Sequence, residues 1–245
     1  MNRSAAYLIS IAASLILVLW TGATAVSQQT SLHNKRLSGA PSSIPEIAIT
    51  GASAEELAVI RSGAERSIEL FAQCGLEALD PIRVQVENDA IGVCGVDAFG
   101  AFDTKAQTIR LASTKACRAM AKTNPAYASL PFIKFYESIV VHEVAHQIFR
   151  SHIGERSVSL ATHEYVAYAL QITSLPPDVR QTFLKPLNTK PPADLSPFVD
   201  MVLLMSPETF GALAYAHFSE FGNGCRILTE IIEGKISFPS SEEFE

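Results

Sequence analysis

The chain has 245 residues, 48% of them hydrophobic and 18% charged, with 19 basic against 25 acidic side chains and a formal net charge of −6. That length and apolar content support one sizeable folded domain or two small ones. The acidic balance, with no basic run, argues against nucleic acid as a partner and fits a solvated acidic surface.

In chain order, Arg3 gives a short positive start, followed by the apolar run AAYLISIAASLILVLW (5–20) and by TGATA, where Ala23 and Ala25 supply the small residues of a cleavage site. This is the pattern of a secretory signal peptide over residues 1–25. The competing expectation is an uncleaved membrane anchor, because the apolar run approaches the roughly 20 residues that span a bilayer. Either way the remainder is expected outside the cytoplasm, periplasmic or extracellular. After cleavage no second long apolar run holds it in a membrane. Arg3 is the only charged side chain lost with the signal, so residues 26–245 carry a net charge of −7.

Residues 26–45, rich in Ser, Gln, Gly and Pro, predict a flexible lead-in. A single domain is expected over 46–245. Its first helix fits SAEELAVIRSGAERSIELFAQC, with Ser53 as N-cap, Glu56 completing a capping box and Gly75 beyond the end. PIRVQVEND alternates Ile82, Val84 and Val86 on one face, the period of a half-buried strand. VDAFGAFDTKAQTIRLAS, 96–113, predicts two short strands around a turn near Thr104–Gln107. Pro131 and Gly154 bracket a helix without internal breakers, and SVSLATHEYVAYALQITSL predicts another, stopped by Pro176 and Pro177. Shorter helices follow, the last being CRILTEIIEG. The expected class is α+β, a small N-terminal sheet with a helix and then a mostly helical half.

None of the four cysteines lies in a C-x-x-C pair, which argues against a thiolate zinc ribbon. In an exported protein the even count predicts two disulfides. Cys94 with Cys117 would bracket the predicted hairpin, leaving Cys74 with Cys225. Four buried free thiols are the alternative.

The chemistry concentrates in VVHEVAHQIF, 140–149, where polar groups interrupt an apolar helix. His142 and His146, four apart, project to one side and can offer imidazole nitrogens to one metal ion. Glu143, about 100° further round, does not compete as a ligand but can take a proton from a metal-activated water. That is the mechanics of H-E-x-x-H with Zn2+. The plain alternative is two hydrogen-bonded core histidines.

A third ligand is required. His152 follows His146 by six residues, but if the helix continues it lies about 240° round and 9 Å further along, facing away. Glu164 fits better. The helix overshoots the metal by roughly 12 Å before Gly154, and an antiparallel return brings the chain level again near residue 164. His163, on the same turn, points about 100° elsewhere.

H-E-x-x-H followed some eighteen residues later by Glu on the next helix resembles the gluzincin metallopeptidases, the thermolysin-like and aminopeptidase-like clan, over residues 131–175. The resemblance implies a zincin-like fold, zinc on His142, His146 and Glu164, Glu143 as general base, and a peptide or protein substrate. The hairpin at 96–113 looks like the edge-strand region that lies over the cleft in such enzymes, where a substrate adds as a strand. The aspartate that in thermolysin-like enzymes braces the first histidine is replaced by Tyr168, whose hydroxyl is the expected brace. Oxyanion donors are sought among Tyr165, Tyr215 and His217, which the spacing does not distinguish. Two other functions stay open: an inactive envelope protein of the same fold that binds a peptide or protein partner, and a disulfide-stapled domain without metal.

Overall fold

The computed structural model describes residues 45–93, 95–220 and 224–239, so the expected signal, the lead-in up to residue 44 and Cys94 lie outside the described residues. The architecture is α+β. Strand β1 (Ile47–Thr50) leads into helix α1 (Ala54–Gln73), which returns the chain to β2 (Ile82–Glu87) in parallel pairing with β1. The capping box forms: Glu56 N donates to Ser53 Oγ, and Ser53 N donates to Glu56 Oε2. The other Glu56 oxygen accepts from the Thr114 backbone and hydroxyl, tying the start of α1 to the chain beyond the sheet. The alternation in β2 places Ile82, Val84 and Val86 in the core and Arg83 and Gln85 outward.

The run expected as the first arm of a hairpin is split. Strand β4 (Val96–Ala98) pairs with β3 (Ile91–Val93) in a two-stranded sheet, and β5 (Gly100–Asp103) pairs antiparallel with β6 (Thr108–Ala112). The break falls at Phe99, which is buried against Tyr127 and Phe135 and whose carbonyl accepts from Ala112 N. The expected turn is present: Asp103 Oδ1 accepts from Lys105 N and Ala106 N. The main sheet runs β1-β2-β6-β5, with β5 at an edge.

The helical half comprises α2 (Thr114–Thr123), α3 (Pro125–Ala128), α4 (Phe132–Ile153), α5 (Leu160–Ser174), α6 (Pro177–Leu184), α7 (Asp200–Met205), α8 (Pro207–Glu220) and α9 (Gly224–Ile232). Helix α4 is buried around most of its circumference, because α1, α5 and strands β5 and β6 all pack on it. It ends at Ile153, and the expected stop Gly154 caps it with a φ of 61° that suits glycine. Helix α5 packs along α4 and, on another side, against α8.

One of the two expected disulfides is present. Cys74, at the end of α1, is bonded to Cys225 in α9 across 151 residues of chain. Arg156, in the turn between α4 and α5, donates to the carbonyls of Ile231 and Ile232 and holds the other end of α9. The second pairing does not form: Cys117 is a free thiol, buried in the core with its Sγ toward the Ala112 carbonyl. Burial pushes that thiol well above its ordinary range, so it is not a reactive thiolate. Replacing Cys74 and Cys225 together by serine is expected to lower stability by about 2–4 kcal/mol, from loop-closure entropy returned to the unfolded chain. Thermal unfolding checks this, and an unchanged Tm would show that the crosslink contributes nothing.

Among the described residues no helix is long and apolar enough to cross a membrane.

Candidate metal centre

His142 and His146 lie one turn apart on α4, with ring centroids 4.7 Å apart and Nε2 atoms 3.0 Å apart. Glu164 enters from α5. Its Oε2 is 3.3 Å from His142 Nε2, and its Oε1 is 3.5 Å from His146 Nε2. The two helices run in opposite directions here: His163 meets Phe149, Glu164 meets His146 and His142, and Gln171 meets His142 and Ser138. All three site residues are buried, Glu164 completely.

The spacing tests whether these groups suit a cation. Three ligands about 2.0–2.1 Å from a tetrahedral zinc stand about 3.3 Å from one another, against 3.0, 3.3 and 3.5 Å here. Neither Glu164 oxygen has a hydrogen-bond partner, although both are buried. A carboxylate removed from water costs several kcal/mol unless a charge or donors compensate it, and a shared cation supplies that compensation. His142, His146 and Glu164 thus form a buried group that could hold a metal ion.

The electrostatics agree. Burial by itself pushes the Glu164 carboxyl up, but the imidazoles of His146 and His142 outweigh it and hold the group down at about 2, ionised and ready to ligate. Burial pushes His142 down, and the adjoining Glu164 carboxylate more than reverses that. His163 is different. Burial, reinforced by His146, pushes it down to about 3, so it remains a neutral ring against Phe149, outside the metal group, as its position on the helix predicts.

The brace on the first histidine is not Tyr168. That ring meets the His142 ring edge-on at 4.7 Å, a packing contact. His142 Nδ1 instead donates to Gln171 Oε1 at 2.9 Å. The sequence carried a signal for Gln171: it stands seven residues, about two turns, beyond Glu164 and therefore on the same face.

Glu143 is buried beside this group under the edge strand. Gly100 of β5 lies so close that a Cβ there would stand 2.7 Å from Glu143 Cγ and 2.9 Å from both Cδ and Oε1. Only glycine leaves the carboxylate this seat.

The other expected residues have the following partners. Tyr165 and His217 share a hydrogen bond, hydroxyl to Nδ1 at 2.7 Å, within an aromatic cluster with Phe198. Tyr215 lies beneath the Arg180 guanidinium. His152 donates to the Glu77 carbonyl, away from the metal group as its rotation predicts.

Fold and site together define an α+β domain with a buried His–His–Glu group on two adjoining helices that could hold a metal ion. The chain belongs to the family described as family of unknown function (DUF6639), which matches residues 47–241. No curated protein and no solved structure matches it.

Proposed function

We propose that the protein is an exported, zinc-dependent hydrolase that cuts peptide bonds, with His142, His146 and Glu164 as ligands and Glu143 as general base. The observation that carries it is the convergence of two imidazole nitrogens and a buried carboxylate to within 3.0–3.5 Å of one another. Two imidazoles and one carboxylate are a donor set that zinc accepts while keeping a position open. Export is supported by the leader pattern of residues 1–25 and by the Cys74–Cys225 disulfide, which suits an oxidising compartment.

Zinc at this site supplies Lewis acidity, bringing the pKa of a bound water near 7. Glu143 takes the proton from the attacking water as its oxygen bonds to the scissile carbonyl carbon. The carboxyl then returns that proton to the amine nitrogen as the C–N bond breaks. The edge strand β5 lies over Glu143, so a substrate strand paired to β5 would present its carbonyl beside the base.

Gly100→Ala should force the Glu143 carboxylate from its seat, lowering kcat about a hundredfold while zinc stays bound. Steady-state kinetics with metal analysis checks this, and full turnover in the variant would show that the seat is not required.

A second function is a peptide-binding envelope protein that keeps the metal without turnover, and the observation that favours it is that the Tyr165 hydroxyl, a candidate oxyanion donor, is hydrogen-bonded to His217 Nδ1. Metal content and hydrolysis of unstructured peptides, measured together, decide between the two. About one zinc per chain with chelator-sensitive cleavage supports the hydrolase. Zinc without cleavage supports the binding protein, and absence of zinc rejects both.

A further inference from the structure

We propose that Gln171 is the positioning residue of the metal centre, an uncharged brace that locks His142 in the ligating tautomer and sets how tightly the cation is held. This rests on the His142–His146–Glu164 group binding a cation, and goes beyond it by assigning control of affinity to a residue that touches no metal.

The geometry fixes the direction of every bond in the chain of contacts. The Ser138 hydroxyl donates to the Phe135 carbonyl at 2.7 Å, so its oxygen is left to accept. Gln171 Nε2 supplies that donor at 3.4 Å. The amide oxygen must then face His142 Nδ1, where it lies at 2.9 Å, and a carbonyl oxygen only accepts. Nδ1 therefore carries a proton, which leaves Nε2, facing Glu164 and His146, as the nitrogen that would ligate a cation. Ser138, His142 and Gln171 are all buried, so water does not compete for these bonds. One α5 side chain thus grips two α4 positions a single turn apart.

The brace is neutral, and that has a chemical consequence. A carboxylate at this place would draw on the Nδ1 proton and make Nε2 more basic, and an amide does so less. The cation is accordingly held less tightly than with an acidic partner and stays more electrophilic. If Gln171 served only as filler among Phe135, Tyr168 and Leu175, replacing it would not shift affinity in opposite directions according to charge.

The test uses the full chain and zinc alone, with affinity read by competition against a chromophoric chelator at one pH. Gln171→Leu should weaken zinc binding about tenfold or more, and Gln171→Glu should tighten it by a similar factor. Ser138→Ala, which frees the amide to turn, should weaken binding by a smaller factor. Native affinity in both Gln171 variants, or shifts of the same sign, would overturn the proposal. Should Gln171→Leu fail to fold, Gln171→Glu and Ser138→Ala decide, and unchanged affinity in both rejects it. A native chain that takes up no zinc overturns the metal centre itself. A native chain that binds zinc with unmoved variants overturns only the brace.

Discussion

Glu143→Gln should leave the zinc bound and stop hydrolysis. The substitution keeps the size and shape of a side chain that is buried beneath Gly100, so the packing around it is retained. What it removes is the ability to accept a proton, which in general acid–base catalysis is worth about 10²–10⁴ in rate. Because Glu143 is assigned no part in holding substrate or metal, the loss should fall on kcat, with KM and zinc content near native values. Peptide hydrolysis assayed on protein of known metal content checks this. Undiminished turnover would remove Glu143 from the mechanism, and loss of zinc would mean that the residue is a ligand.

His146→Ala should abolish metal binding. In the native chain, zinc at a hundredfold excess over its Kd should add about 2.7 kcal/mol of stability, roughly a 5–10 °C rise in Tm for a domain of this size. The variant should show no such rise. It should also be less stable in the absence of zinc, because Glu164 Oε1 then loses the imidazole 3.5 Å away and remains buried. A buried carboxylate that loses a neighbouring polar group is less well compensated for its removal from water, so the variant should unfold at a lower temperature than the native chain. Glu164→Gln separates the two effects: it removes the charge and the metal but leaves no orphaned carboxylate, so its fold should be the more stable of the two without zinc. An equal zinc-induced shift in native and His146→Ala proteins would place the metal elsewhere.

The parts of this structure legible in the sequence are those fixed by local periodicity and by chain stops. Ser53 and Glu56 marked the start of α1, Gly154 and Pro176 marked the ends of α4 and α5, and the alternation from Ile82 to Val86 marked β2. Glu164 was legible because two helices joined by a short turn must run back along one another, and counting residues then places a position level with the histidines. The elements that escaped depend on distant partners. The four residues of β1 are too few to show a period, and they are a strand because β2 lies beside them. The break at Phe99 follows from an aromatic pocket made by Tyr127 and Phe135, well along the chain.

The site itself shows the same division. Tyr168 stands one turn beyond Glu164, but moving forward along α5 means moving backward along α4. The partner for His142 is accordingly found two turns on, where Gln171 reaches both it and Ser138. The even count and the hairpin between them predict a Cys94–Cys117 bridge, whereas Cys117 is a free thiol buried with its Sγ toward the Ala112 carbonyl. The leader pattern of residues 1–25 lies outside the described residues, and amino-terminal sequencing of the protein isolated from its native cells tests it.

The most direct measurement is an anomalous difference map at the zinc edge from a crystal of the zinc-loaded chain. One peak is expected about 2.0–2.1 Å from both His142 Nε2 and His146 Nε2 and about 2.0–2.2 Å from a Glu164 oxygen. A peak at other residues, or none with Glu164 still facing the two imidazoles, would contradict the metal centre and the hydrolase built on it.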